Sequence, residues 1–98
     1  MANWRQLGSI WQLRPAEPAG LIEFIGGSYL AATPQISYRR LLEDLAADGL
    51  AVHAWAYVPG FDHQRQARDA WSAFRSARRQ LEERCVSLSA TLRLGHSL

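Results

Sequence analysis

Compact apolar runs alternate with segments of helical periodicity along this chain of 98 residues, and this alternation is the strongest constraint on its fold. Residues 21–25 form one apolar run and residues 50–58 another, and each run ends at glycine or proline. Short apolar runs with such boundaries are typical of strands that are buried on both faces. A further strand is predicted at residues 89–94, and the order of strands and helices therefore predicts a parallel sheet.

Both segments between these predicted strands have the spacing of amphipathic helices. The first starts at Thr33-Pro34, where a hydroxyl cap precedes proline at the first helical position, and Gly49 closes it. The second starts at Asp62, whose carboxylate is predicted to cap the helix. The predicted apolar face of this second helix consists of Ala67, Ala70, Trp71, Phe74, Ala77 and Leu81.

The predicted organisation is one partial domain over residues 1–98. Residues 1–19 are expected to form a weak N-terminal strand or hairpin, because Pro15 and Pro18 interrupt regular structure after it. Residues 20–98 are expected to form a core of three parallel strands that alternate with two helices. The predicted fold class is therefore α/β.

Composition and charge exclude several classes of partner. The net charge is only +2, which is too weak a signal to predict binding to nucleic acid. Acids lie among the arginines of the second helix, where Arg78 is predicted to pair with Glu82, so this face is interpreted as solvated. No apolar run approaches the ~18 residues of a membrane span, and no signal peptide is recognised. Cys85 is the single cysteine, which is typical of a reducing compartment and favours a cytoplasmic location.

The clearest candidate for a catalytic motif follows the last predicted strand. Gly95-His96-Ser97-Leu98 has a glycine two positions before a serine, as in the first half of a nucleophile elbow. In that turn the serine hydroxyl stands above the edge of the sheet, and the next backbone N–H points into the oxyanion hole. Ser97 is therefore the predicted nucleophile and Leu98 a predicted oxyanion donor, with an ordinary loop as the alternative.

A second candidate turn follows the first buried strand, at Gly26-Gly27. A loop at this place is predicted to supply the other oxyanion N–H, from Gly27 or Ser28. A plain turn that ends the strand explains the glycines equally well. A phosphate-binding loop is disfavoured, because the glycine spacing does not match G-x-G-x-x-G.

Most of the chain from Trp11 onward resembles a known family. The resemblance rests on residues 20–49, GLIEFIGGSYLAATPQISYRRLLEDLAADG, together with Phe61-Asp62-His63 and Gly95-His96-Ser97. The family is known as domain of unknown function 1350 and is described as esterase-like, with members in cyanobacteria and plant plastids. Glu23 and Ser28 depart from its pattern, since histidine and a small apolar residue are expected there.

This resemblance implies the N-terminal part of an α/β-hydrolase fold. It places the oxyanion loop after the third strand of that fold and the nucleophile after the fifth. It also implies a location in the cytoplasm or the plastid stroma. The family has no defined substrate, so the resemblance supports the predicted fold more strongly than the predicted reaction.

The histidines and one buried carboxylate need separate interpretation. His96 is not expected to be the base, because neighbouring side chains in an elbow diverge and the triad order is serine, acid, histidine. His53 is predicted to be a hydrogen-bonded core residue, and His63 to lie at a helix start. Glu23 is expected to pair with an arginine or to lie at a sheet edge. No metal-ligand spacing is present, so no metal or other cofactor is predicted.

Three functions follow as hypotheses. The first is a serine hydrolase that acts on a small-molecule ester or thioester, with Ser97 as nucleophile. Its acid and base are expected outside these residues, so the chain by itself is expected to be an inactive fragment. The second is a non-catalytic α/β-hydrolase-like binding or scaffold protein. The third and weakest is a module that binds a nucleotide or RNA.

Overall fold

The computed structural model describes residues 3–27, 32–58, 62–84 and 90–95, and within them five strands form one sheet. The strands are β1 (Arg5–Leu7), β2 (Ile10–Leu13), β3 (Gly20–Ile25), β4 (Leu50–Trp55) and β5 (Thr91–Gly95). The helices are α1 (Pro34–Ser37), α2 (Arg39–Ala47) and α3 (His63–Arg84). The protein is therefore a mixed α/β protein with a single five-stranded sheet among these residues.

The strand order in the sheet is β1-β2-β4-β3-β5. β3 pairs in parallel with both β4 and β5, whereas β2 pairs in antiparallel orientation with β1 and with β4. The predicted parallel sheet is thus matched only in part, because the sheet is mixed. The N-terminal segment forms the predicted hairpin, whose tight turn at Gly8 has a φ of 60°. This hairpin extends the sheet, because β2 pairs with the edge of β4 that β3 leaves free. The sequence pattern did not predict which strand the hairpin would join.

Helices cover both faces of the central strands. α2 packs on one face, where Leu42 belongs to a core cluster with Leu13, Phe24, Val52 and Ala54. α3 packs on the other, where its buried side chains are Ala70, Phe74, Ala77 and Leu81. Full burial of a side chain such as Leu42 or Phe74 stabilises a fold by about 1.5–3 kcal/mol. The alternation of β4 residues between these two faces explains why its whole run is apolar or buried.

The first predicted helix is divided in two. α1 ends and α2 begins at Tyr38, whose φ of −116° and ψ of 19° lie outside the helical region. The hydroxyl of Thr33 makes no capping bond to the backbone, contrary to the prediction, and lies 3.5 Å from the hydroxyl of Ser37. Gly49 adopts the predicted left-handed conformation, with a φ of 92°.

The later elements follow the prediction with shifted boundaries. The predicted strand at residues 50–58 ends earlier, at Trp55, and one further hydrogen bond, from the N–H of Ala56 to the carbonyl oxygen of Ser9, follows it. Asp62 caps α3 as predicted, since its Oδ1 accepts the N–H of Arg65 at 3.0 Å. Trp71 departs from the prediction, since it remains 50% exposed instead of joining the apolar face. None of the helices in the described residues has the length and apolar character that a membrane crossing requires.

Candidate functional site

The two candidate turns begin at the same edge of the sheet. β3 and β5 are parallel neighbours, and their last residues, Ile25 and Gly95, are register partners. Because the carboxyl ends of parallel strands meet at one edge, Gly26-Gly27 starts beside the end of β5. Three predicted site residues, Ser28, Ser97 and Leu98, lie outside the described residues, as does His96.

Gly27, the remaining predicted site residue, is held by a tyrosine. Its N–H donates to the hydroxyl of Tyr38 at 2.9 Å. The hydroxyl of Tyr57 donates to the carbonyl oxygen of Gly26, also at 2.9 Å. The carbonyl of Gly26 and the N–H of Gly27 belong to one peptide unit, so two tyrosine hydroxyls satisfy both of its polar groups.

Both tyrosine rings are fixed by aromatic neighbours. Tyr38 meets Phe24 edge-on, with 4.7 Å between ring centroids, and Tyr57 stacks on Trp55 at 4.4 Å. Such aromatic pairs contribute about 0.5–1.5 kcal/mol beyond the area that they bury. Burial, and after it the neighbouring Tyr38, raises the pKa of the Tyr57 phenol above its ordinary value. Tyr57 therefore stays protonated and able to donate at neutral pH.

Gly26 and Gly95, the glycines at the carboxyl ends of the two neighbouring strands, differ in how closely they are packed. A Cβ at Gly26 would lie 2.5 Å from Cε2 of Tyr38, so a side chain there displaces the tyrosine ring. A Cβ at Gly95 would meet only the carbonyl oxygen of Ile25, at 4.0 Å. The described contacts therefore require glycine at Gly26 and tolerate a small side chain at Gly95.

Glu23 has the arginine partners that were predicted for it. Its side chain is 1% exposed, and its Oε1 lies 2.8 Å from Nη2 of Arg78 and 3.3 Å from Nε of Arg93. The predicted pairing of Arg78 with Glu82 is thus replaced by a pairing with Glu23. The guanidinium of Arg93 also lies 4.9 Å above the ring of Trp71, where a cation–π interaction is favourable.

His53 is a buried core residue, as predicted. Its Nε2 is hydrogen-bonded to the side-chain amide of Gln12 at 2.8 Å, and the ring is fully buried. Burial, followed by the charge of Arg78, lowers the pKa of His53 from 6.5 to about 4. His53 is therefore neutral at physiological pH, and its complete burial keeps it from acting as a base at the candidate turns.

These polar side chains form one row across the sheet under α3. In register, Gln12 stands opposite His53, His53 opposite Glu23, and Glu23 opposite Arg93. Sequence reasoning considered Glu23 and His53 separately. Glu23 and His53 nevertheless share a feature in the sequence, because each is the single polar residue inside an otherwise apolar strand.

One open groove is lined by residues outside the candidate turns. It has a volume of about 400 Å³ and lies beside the C-terminal end of α2, lined by Asn3, Leu13, Arg14, Pro15, Glu43, Ala46 and Ala47. None of these residues belongs to the predicted site. Among the described residues, no group of three or more His, Cys, Asp or Glu side chains is arranged to hold a metal ion.

The described residues define a mixed α/β protein in which two neighbouring parallel strands, β3 and β5, end at the same edge of the sheet. The model of a family described as protein of unknown function (DUF1350) matches residues 3–98, and the chain therefore belongs to this family. The resemblance seen in the sequence is confirmed at the level of the family. No curated protein and no solved structure matches the chain.

Proposed function

We propose that the complete protein is a serine hydrolase of the α/β-hydrolase superfamily that acts on an ester or thioester. Ser97 is the proposed nucleophile, and the N–H groups of Leu98 and of Gly27 or Ser28 are the proposed oxyanion donors. Attack forms a bond between Oγ of Ser97 and the acyl carbon, and the C–O or C–S bond of the substrate then breaks. The alcohol or thiol leaves with the proton of Ser97, and water later releases the acid from the serine.

The observation that carries this proposal is the register of Ile25 with Gly95. β3 is the third strand of the described chain and β5 the fifth. These are the strands after which an α/β-hydrolase has its oxyanion loop and its nucleophile, according to the resemblance. Parallel pairing of the two strands starts both loops at one edge, as a shared acyl site requires.

The acid and the base of this proposal are expected outside these 98 residues. Of the two described histidines, His53 is buried and bonded to Gln12, and His63 is exposed at the start of α3. The carboxylate of Glu23 is neutralised by two arginines. None of these three side chains is therefore assigned as the acid or the base of the proposed reaction.

One observation favours a second function, that of a non-catalytic α/β-hydrolase-like binding or scaffold protein. The N–H of Gly27 is bonded to Tyr38, so it is engaged within the protein in this conformation. Hydrolysis then requires the N–H of Ser28 as donor, or a movement of Tyr38. A protein that only binds its ligand has no such requirement.

Labelling of the complete protein with a fluorophosphonate probe tests the two functions. If the protein is a serine hydrolase, the probe labels Ser97, Ser97→Ala abolishes the labelling, and peptide mass spectrometry locates the adduct. Ser76→Ala is the matched control, because Ser76 is an exposed serine on α3, and it should label like the unmodified protein. Absence of labelling in the folded complete protein would contradict the hydrolase and favour the binding protein.

A further inference from the structure

We propose that Tyr38 and Tyr57 are positioning residues of the glycine turn, because their hydroxyls hold both polar groups of the Gly26–Gly27 peptide. The contacts that carry this proposal are the two 2.9 Å hydrogen bonds described above. Their role in catalysis rests on the proposed function, whereas their hold on the peptide does not.

Two hydrogen bonds fix this peptide because a peptide unit is planar. The carbonyl oxygen of Gly26 and the N–H of Gly27 both lie in that plane and point to opposite sides of the chain direction. A hydroxyl bonded at each side opposes rotation of the plane about the chain direction. Glycine flanks the plane on both sides and has the freest backbone of any residue, so the turn has little rigidity of its own.

The two tyrosines reach the turn from different elements. Tyr38 lies at the junction of α1 and α2, and Tyr57 lies two residues beyond β4. Each ring packs against an aromatic residue near the end of a central strand, Phe24 in β3 and Trp55 in β4. The glycine turn is therefore tied to the rigid part of the sheet and not only to its own loop.

The same contact explains the division of the predicted helix. Tyr38 has a non-helical backbone between α1 and α2, and its ring lies so close to Gly26 that no side chain fits there. A continuous helix through Tyr38 would change the direction of this ring. The interruption of the helix thus accompanies the orientation in which the ring of Tyr38 contacts the turn.

On the proposed function, a fixed turn matters because oxyanion donors act only when they are aimed at the place where the charge develops. A displacement of about 1 Å in such a site costs on the order of 100-fold in rate. We expect a smaller effect from a single hydroxyl, because one hydrogen bond of the pair remains. The expected reduction for Tyr38→Phe or Tyr57→Phe is about tenfold in the rate of acylation.

Hydrogen exchange tests the hold on the peptide. In the complete protein, the Gly27 amide should exchange at least tenfold faster in Tyr38→Phe than in the unmodified protein. Thr33→Val is the matched control, because it removes an exposed hydroxyl beside α1 whose hydrogen bond among the described residues is to Ser37. Unchanged exchange of the Gly27 amide in Tyr38→Phe would overturn the proposal.

Labelling kinetics with the fluorophosphonate probe test the positioning role. Tyr38→Phe and Tyr57→Phe should lower the maximal rate of labelling about tenfold and leave the probe concentration for half-maximal rate unchanged. Thr33→Val should change neither value, and circular dichroism should show all variants folded. A general loss of structure would instead change both values together with the thermal midpoint.

The outcomes separate this proposal from the proposed function. Labelling of the unmodified protein with equal or faster labelling of the folded phenylalanine variants would overturn the positioning role and leave the hydrolase standing. Faster labelling in Tyr38→Phe would show that the tyrosine obstructs the site. If the unmodified protein is not labelled, the proposed function fails and the catalytic role of the tyrosines fails with it.

Discussion

Glu23 and Arg93 stand opposite each other in the parallel register of β3 and β5, and Oε1 of the carboxylate lies 3.3 Å from Nε of the guanidinium. The carboxylate is almost fully buried, whereas Arg93 belongs to a strand whose five residues are all exposed. The strand that precedes the candidate nucleophile is therefore attached to the core through a buried charge.

Neutralisation of Glu23 should destabilise the protein. Glu23→Gln leaves Arg78 without its charged partner in a part-buried position, and loss of one member of a buried pair costs about 3–5 kcal/mol. Chemical unfolding measures this change. Asp69→Asn is the control, because Asp69 pairs with Arg65 at 3.9 Å on the surface and should cost less than about 1 kcal/mol. Equal stability of the two variants would contradict the importance of the buried pair.

The two arginine partners of Glu23 should contribute unequally. Arg78 is the closer partner at 2.8 Å and its side chain is 30% exposed, whereas that of Arg93 is 61% exposed. Solvent weakens the exposed pair, so Arg93→Gln should cost about 1 kcal/mol or less. Arg78→Gln should cost more, about 2 kcal/mol or above. A reversed order in chemical unfolding would show that the contact of Arg93 with Trp71 dominates.

Protonation of His53 should make the stability depend on pH. The folded protein lowers the pKa of His53 from 6.5 to about 4. Between these values the unfolded chain binds a proton that the folded protein does not, so the free energy of unfolding falls as the pH is lowered. The loss should begin near pH 6.5, reach about 3 kcal/mol, and level off below pH 4.

His53→Gln isolates this contribution, because glutamine keeps a polar group beside Gln12 but does not titrate in this range. The difference in unfolding free energy between the unmodified protein and the variant should shrink as the pH is lowered from 7 to 4.5. His63→Gln is the control, since His63 is exposed at the start of α3. A difference that stays constant over this range would contradict the prediction.

Substitution of Gly26 should be far more harmful than substitution of Gly95. Gly26→Ala places a Cβ 2.5 Å from the ring of Tyr38 and should cost about 1–3 kcal/mol through overpacking. Among the described residues, Gly95→Ala meets one backbone oxygen, at 4.0 Å, and should change the thermal midpoint little. Thermal unfolding of both variants checks this, and equal midpoints would show that Tyr38 moves aside without cost.

The sequence predicted the central strands and helices because burial on both faces leaves a recognisable apolar run, as at β3 and β4. It did not predict that β2 joins β4, since an edge is chosen by contacts between distant residues. Trp71 satisfied the helical spacing of the apolar face, but spacing does not define where a helix leaves the sheet. The contact of Trp71 with Arg93, which lies 22 residues later in the sequence, is likewise not visible in the helical spacing.

The candidate site was predicted in outline and not in its supporting contacts. The glycine pair and the serine motif are local patterns, so they could be recognised without a structure. Tyr38 lies inside the segment that is predicted as one helix, and Tyr57 inside a predicted strand. Their hydroxyls meet one peptide only because three elements converge there, and no local pattern contains that information. Glu23 was different, since an acid in an apolar strand requires a partner.

The exposed position of β5 should make its attachment to the sheet depend on the salt concentration. Leu92 and Leu94 are 59% and 39% exposed there, and Arg93 reaches its carboxylate from the solvent side. Dissolved salt screens an ion pair in such a position, so the attachment of this strand weakens as ionic strength rises. Anything that pairs with the edge and excludes water would remove that sensitivity and tighten the strand against the sheet.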